Sequence, residues 1–521
     1  MNISSKIKNH VKTSLTTIIP TKETINKGLA RYPINPFPAL SKLSLLQWQL
    51  FFLGLWMWIL DSASFFSVSL TTSYLAEKFD KSIVEINDGI MYSLFTRVAG
   101  AVIFGIYNDM FSRKWTYVVI CSLLCAIQLG TSFVQTFNQF LACRCVFGLI
   151  LGASFSVGNI TAVENINASK NKNSKNDIAG LLSGVFQAGY PMGYLIAQGA
   201  TRGLVESHPS QSWRILFWFT SALCVPFIVW RSILPESPVF SENQKLLLNQ
   251  NNTGSKTKKF FLDFQKAFQN YWDKILYQCV LMGAFCYTSH GSQDLFPTLL
   301  KSYGFSASKK STINCVANVG CIIGGIIGAH AANYLGIRFI ILCGIVIGCG
   351  VIYPWGYVEQ YKICSAFWLQ FAVQFGFANV PKYLHELSSY GEMKAFATII
   401  IGFSYQIGTL VSAPASTIQS KIAAENNNNY SATMSVFLAI VFVILFVIVL
   451  FGIENRDSDG FVLREGDVDE EDTTDAQYSM NSSVDEEKGL QLDKNTSFES
   501  QVKPETQYVE QAQERESSSS L

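Results

Sequence analysis

The chain has 521 residues, of which 49% are hydrophobic and only 15% charged, with a net charge of +1 and a mean hydropathy of +0.23. Soluble proteins carry about 25% charged residues, so this composition points to a bilayer rather than to water. The near-neutral balance offers no basic footprint, and no nucleic-acid partner is expected.

In chain order, residues 1–47 are polar and dotted with lysines (Lys6, Lys8, Lys12, Lys22, Lys27, Lys42), without a signal peptide; they read as a cytoplasmic N-terminal segment. Windows of about 20 apolar residues, enough to cross a bilayer, then recur twelve times in two groups of six. The first group, within 48–234, covers 48–74, 88–108, 116–136, 139–163, 178–200 and 214–234. The second, within 276–453, covers 276–300, 312–334, 337–357, 363–386, 393–417 and 431–453. Residues 235–275 between the groups read as a cytoplasmic central loop. The chain is therefore expected to be an all-α, multi-pass membrane protein.

Lysine and arginine bias sets the orientation. Arg113 and Lys114, then Lys170, Lys172 and Lys175, then Lys256, Lys258, Lys259 and Lys266 join the N-terminal lysines on one side. By the positive-inside rule both termini are cytoplasmic. Asn429-Tyr430-Ser431 then falls in an outer loop as a glycosylation acceptor pattern. The tail 454–521 is acidic, with the run Asp467–Asp472, and holds too few apolar residues to offset the entropy of ordering; it is expected to be disordered. It reads either as a solvated tail or as a platform for ubiquitination and trafficking factors at Lys488, Lys494 or Lys503. All twelve cysteines sit in apolar stretches without metal-site spacing, so they read as reduced packing residues and no metal is expected.

Polar groups inside such spans are expensive, roughly 2.5–3.5 kcal/mol for a charge at a helix centre, and mark function by default. Arg97 falls mid-span in 88–108 and Asp61 at similar depth in 48–74. Arg97 reads either as an anchor for a carboxylate, which a guanidinium matches with two parallel bonds, or as the structural partner of Asp61. The run Ser289-His290-Gly291-Ser292-Gln293-Asp294-Leu295-Phe296-Pro297-Thr298 interrupts the seventh span. His290 and Asp294 stand at i and i+4 on one helix face, and as a coupled pair they read either as a proton site or as a bond that fixes the helix. Ser289, Gln293 and Thr298 read as hydrogen-bonding groups, and Pro297 as a kink. Gln406 in the eleventh span reads as an amide offered to substrate from the opposite half. Asn159 and Glu164 lie near the end of the fourth span, Glu164 reading as an interface charge. No phosphate-binding loop Gly-x-x-x-x-Gly-Lys-Ser/Thr occurs and no catalytic residues stand out, so neither ATP-driven transport, an enzyme nor a cofactor is expected.

Six plus six spans around a long loop resemble the major facilitator superfamily. Gly105-Ile-Tyr-Asn-Asp109-Met-Phe-Ser-Arg113-Lys114 is similar to that superfamily's loop motif, which implies a cytoplasmic gate latch. Gly328 to Arg338 resembles its degenerate repeat, with Asn333 in the acid's place and a weaker latch implied. Arg144-x-x-x-Gly148-x-x-x-Gly152 and Leu234-Pro235-Glu236-Ser237 resemble further motifs. Within the superfamily, Ser289 to Thr298, Arg97 to Gly105, Trp213 to Phe219, His385-Glu386-Leu387-Ser388 and Tyr405-Gln406-Ile407-Gly408 resemble the fungal lactate permease (Jen-type) carboxylate:proton symporters. Cys286 stands where that family's signature opens with Asn, Thr409 where it has a second Asn, and Ser64 where helix 1 has a second Asp, which marks a diverged member. The resemblance implies a plasma-membrane carrier that takes up lactate, pyruvate, succinate or malate with protons by alternating access. Substrate is expected to meet Arg97, Ser289, His290, Gln293, Thr298 and Gln406, with proton coupling at His290, Asp294 and Asp61 and Glu386 at the gate. The alternative is a sensor of the same fold that binds a carboxylate without net transport.

Overall fold

The computed structural model describes residues 12, 14–16, 18–168, 178–205, 212–238, 240–241, 256–388 and 391–452. The acidic tail from 454, Lys6 and Lys8, and the loop lysines Lys170, Lys172 and Lys175 lie outside the described residues. Among the described residues regular structure is helical throughout.

Twelve crossings follow one another. Span 1 is Leu45–Phe79, span 2 Ile83–Met110 and span 3 Arg113–Ser132. Span 4 joins Phe137–Leu151 to Ser154–Ala168, span 5 joins Ala179–Gln187 to Gly189–Ala200, and span 6 joins Ser212–Ala222 to Val225–Ile233. Span 7 joins Trp272–Gln293 to Phe296–Ser302; span 8 is Ala307–Leu335 and span 9 Ile337–Tyr357. Span 10 joins Lys362–Phe377 to Val380–Leu387, span 11 joins Ala397–Ser412 to Ala415–Glu425, and span 12 is Tyr430–Leu450. Ten of these are long and apolar enough to cross a membrane on that ground alone. The two others have physical reasons to fall short. Span 5 is diluted by Gln187, Tyr190, Pro191, Tyr194, Gln198 and several glycines, and the first helix of span 7 carries the polar run from Ser289.

Sequence chemistry sets where the spans start. Ser44, Ser82 and Thr136 each accept from the backbone N–H three residues on, while Gln47, Glu85 and Gln139 reach back to the cap, so spans 1, 2 and 4 open on capping boxes. Proline sets where four of them break. The first helices of spans 5, 6, 7 and 10 end at Gln187, Ala222, Gln293 and Phe377, and Pro191, Pro226, Pro297 and Pro381 lie four residues on. A proline has no N–H for the carbonyl four residues earlier, so the ladder loses its rung there. Span 4 breaks without a proline, at Gly152 and Ala153.

Spans 2 and 4 approach until their backbones touch. A Cβ on Gly100 would sit 1.8 Å from the Leu149 carbonyl oxygen, and one on Gly148 or Gly152 2.0 Å from the carbonyls of Ser93 and Arg97. Only hydrogen fits, and the approach fixes Arg97 against the break in span 4.

The N-terminal segment is more than a lead-in. Its helix Lys22–Arg31 packs on the cytoplasmic end of span 8, where Tyr334 Oη donates to the Pro33 carbonyl at 2.8 Å and the Tyr32 ring meets Tyr334 edge-on. The central loop likewise holds a helix, Lys256–Asn270.

Candidate functional site

The half-spans bring polar groups together mid-bundle. Asp61 on span 1 is fully buried; Arg97 Nη2 donates to its Oδ1 at 3.0 Å and Ser154 Oγ donates to its other oxygen. Ser154 begins the second helix of span 4, so the break there delivers the hydroxyl. The Arg97 guanidinium lies 5.1 Å from the Phe65 ring centroid, and its Nε is buried with no partner. Arg97 therefore is the partner of Asp61 in this structure and still keeps one donor free.

Opposite, on span 7, His290 Nδ1 stands 3.2 Å from both oxygens of Asp294, the contact that the i, i+4 spacing implies. Both face open space, with 19% and 34% of their side chains exposed. Between the two pairs, Trp58 and Phe155 of the first half share one packed cluster with Cys286 and Tyr405 of the second, and Tyr190 of span 5 lies against it. Trp58 lies 5.1 Å from Tyr190 and 5.7 Å from Tyr405, and Phe155 stacks on Tyr405 at 3.9 Å. These rings give the centre apolar walls with hydroxyl tips, as a small organic ligand needs.

Two residues read from sequence as ligand-facing amides are committed elsewhere. Gln406 is fully buried, and its Nε2 donates at 2.9 Å to the carbonyl of Gly152, freed by the break in span 4. It ties the two halves together rather than offering that donor to a cavity. Gln293 Nε2 donates at 2.9 Å to Gln370 on span 10, and Gln370 Nε2 donates in turn to Ser292 at 3.1 Å. Ser289 and Thr298 are half-buried, and Cys286 lies 3.8 Å from Thr409, its partner across spans 7 and 11. Sequence reasoning missed Ser154, Tyr190 and Gln370, and noted Tyr405 only as part of a motif. A polar or hydroxyl-bearing group deep in an apolar span was the available signal for each.

The cytoplasmic end is sealed. Asp109 Oδ2 accepts from the Ile399 backbone N–H at 3.3 Å, and its other oxygen pairs with Arg113 at 2.5 Å. Arg113 also donates to Thr398 at 3.0 Å and meets Glu164 at 3.3 Å, while a Cβ on Gly105 would lie 3.1 Å from Ile399 Cα. Lys114 gives its backbone N–H to Glu236, which also receives Ser112 Oγ. In the second half Asn333 takes the acid's place by accepting from Lys382 Nζ at 3.0 Å, and Lys382 pairs with Glu386 at 3.7 Å. Ser183 and Asn159 of the first half meet the backbone of Lys382 and Pro381. At the outer end Gln198 donates to Ser311 at 2.8 Å, while Asp294 stays open.

Comparison with known proteins agrees with this architecture. The family model for the Major Facilitator Superfamily matches residues 50–360, and that for sugar (and other) transporters matches 276–516. A carboxylic acid transporter protein homolog of Saccharomyces cerevisiae is 30% identical over 489 residues, covering 89% of this chain and 76% of the relative. Glycerophosphoinositol permease 1 of Candida albicans is 22% identical and covers 69% and 68%. Among solved structures, the proton:xylose symporter XylE aligns with a TM-score of 0.59 at 13% identity, over 81% of this chain and 98% of that one. At that identity the likeness speaks for the fold.

Proposed function

We propose a proton-coupled uptake carrier for short-chain carboxylates, on the premise that this chain belongs to the Major Facilitator Superfamily and fits a diverged member of its fungal lactate permease branch. That superfamily transports solutes and does no covalent chemistry on them. The substrates are mono- or dicarboxylates such as lactate, pyruvate, succinate or malate, and the setting is the plasma membrane. The name of the 30% identical yeast relative supports the substrate class.

One observation carries the mechanism: a buried Arg97 whose charge is cancelled by Asp61 while its Nε lacks a partner. A lone guanidinium in this setting costs several kcal/mol, so the pair cannot simply open. A proton on Asp61 together with a carboxylate on Arg97 preserves the charge balance. Arg97 and Asp61 sum to zero when empty, and Arg97, protonated Asp61 and a singly charged anion, a monocarboxylate or a half-protonated dicarboxylate, sum to zero when loaded. Both states can then reorient, and neither ligand travels alone. His290, held by Asp294 on the open side, supplies a second donor to the entering acid and exchanges protons with the outside.

Purified carrier in proteoliposomes, with labelled lactate outside and an imposed pH gradient, tests this. Accumulation should rise as the external pH falls from about 7 to 5, the range in which a histidine changes charge, and vanish with an uncoupler. Asp61→Asn leaves Arg97 without a carboxylate when empty, so net accumulation should be lost while exchange of internal for external substrate persists. Accumulation that survives Asp61→Asn, or that ignores collapse of the proton gradient, would overturn the proposal.

A further inference from the structure

The helix Lys256–Asn270 has two apolar faces, and only one of them is used inside the protein. Phe260, Phe264, Ala267 and Tyr271, at intervals of four, three and four, belong to a cluster with Met393, Phe396 and Ile399. The Phe260 and Phe264 rings meet Phe396 edge-on at 5.0 and 5.4 Å. About a quarter-turn round the helix lie Phe261 and Phe268, and on its far side Leu262, all between 46% and 49% exposed. Beyond the break at Tyr271, the first helix of span 7 carries an apolar stripe of its own, Trp272, Leu276 and Val280 at intervals of four, all of them exposed. Span 7 crosses the bilayer, so its own stripe is lipid-facing surface, and the exposed rings of Lys256–Asn270 come just before the chain enters it.

Composition names the lipid. The helix carries Lys256, Lys258, Lys259 and Lys266 against the single Asp263, a net charge of +3 from its sequence. A basic helix with exposed aromatic side chains, followed by a tryptophan at the point of entry, has the composition of a helix lying in the membrane plane on an acidic leaflet. We propose that Lys256–Asn270 is an interfacial helix that docks on the acidic phospholipid headgroups of the cytoplasmic leaflet and, through Phe260 and Phe264 on Phe396, steadies the segment that enters the gate. That segment, 391–396, runs directly into Thr398 and Ile399, which hold Arg113 and Asp109. The cytoplasmic seal is thereby linked to the charge of the leaflet beneath it.

Hydrogen–deuterium exchange on the full chain in nanodiscs tests the link. Amides of 256–272 should exchange about tenfold or more slowly in bilayers containing phosphatidylserine than in phosphatidylcholine alone, and amides of 391–399 should slow with them. Replacing Lys256, Lys258, Lys259 and Lys266 together by Gln should erase the difference between the two bilayers, with exchange in spans 8 and 9 unchanged as the check on folding. Phe261→Ser with Phe268→Ser should speed exchange of the helix in both bilayers. Equal exchange in the two bilayers, a difference that survives the lysine replacements, or indifference to the two serine changes would each overturn the proposal.

Discussion

At the scale of single residues the decisive group is Arg97, whose geometry shows the pair with Asp61 and leaves the anchoring role to a test. It pairs with Asp61 at 3.0 Å, as a structural partner should, yet retains a buried donor without a partner. Arg97→Lys separates the roles. Lysine keeps the charge and can still satisfy Asp61, but it loses the planar fork that binds a carboxylate with two bonds. Loss of one charge-assisted bond costs about 1.5–3 kcal/mol, so the half-saturation concentration for lactate uptake should rise about ten- to a hundredfold while surface delivery stays normal. Near-parental affinity, together with recovery of transport in the double variant Arg97→Ala/Asp61→Ala, would assign Arg97 to structure alone. Residue identity was a sound guide where spacing along one helix fixed the contact, as for His290 and Asp294. It could not supply the Nε2 partners of Gln406 and Gln293, because an amide's partner is chosen across helices. The Gly152 carbonyl and Gln370 became available only through packing that no local pattern displays.

At the scale of elements the twelve crossings were legible, since an apolar run of about 20 residues has few alternatives to spanning a bilayer. The breaks were legible in principle too, because Pro191, Pro226 and Pro381 obey the same missing-donor rule as Pro297. The break in span 4 was not, as it follows from the crossing of spans 2 and 4 and from Gln406 taking up the loose carbonyl. That crossing makes a testable distinction between glycines. Gly100→Ala places a methyl 1.8 Å from the Leu149 carbonyl, so the two spans must separate, at a cost of about 1–3 kcal/mol. Gly130 sits in span 3 with nothing near its missing side chain, and Gly130→Ala should instead gain up to about 1 kcal/mol from helix propensity. Thermal midpoints of the purified variants in one detergent should fall for the first and hold or rise for the second. A tolerated Gly100→Ala would mean that spans 2 and 4 are not held in backbone contact.

For the whole molecule the arrangement is asymmetric: the cytoplasmic end is closed by charged and backbone contacts between the halves, while the outer end leaves His290 and Asp294 open. Sequence motifs pointed to the latch, but not to what it grips. Asp109 holds the backbone of Ile399 and Arg113 holds Thr398, so the first half seizes the start of span 11 at two adjoining points. The degenerate second repeat is not idle, since Asn333 takes Lys382 in place of an acid. Alternating access requires these contacts to break once per cycle, and their strength sets the balance between the two faces. Asp109→Asn removes the charge that Arg113 and the Ile399 amide share, while Glu164 still partners Arg113, so the fold should survive and the gate should weaken. A loss of about 1.4 kcal/mol moves that balance tenfold. Cys286 reports it: the thiol is buried between spans 7 and 11, shielded from the cytoplasm while the seal holds. In inside-out vesicles a membrane-impermeant maleimide should label Cys286 of Asp109→Asn about tenfold faster than the parent, read by mass spectrometry at that residue with Cys286→Ser as the blank. Uptake driven from outside should slow in parallel, because the carrier now dwells with its site turned inward. An unchanged labelling rate would mean that the Asp109 contacts do not hold the gate, and that Lys382, Asn333 and Ser183 bear the closure alone.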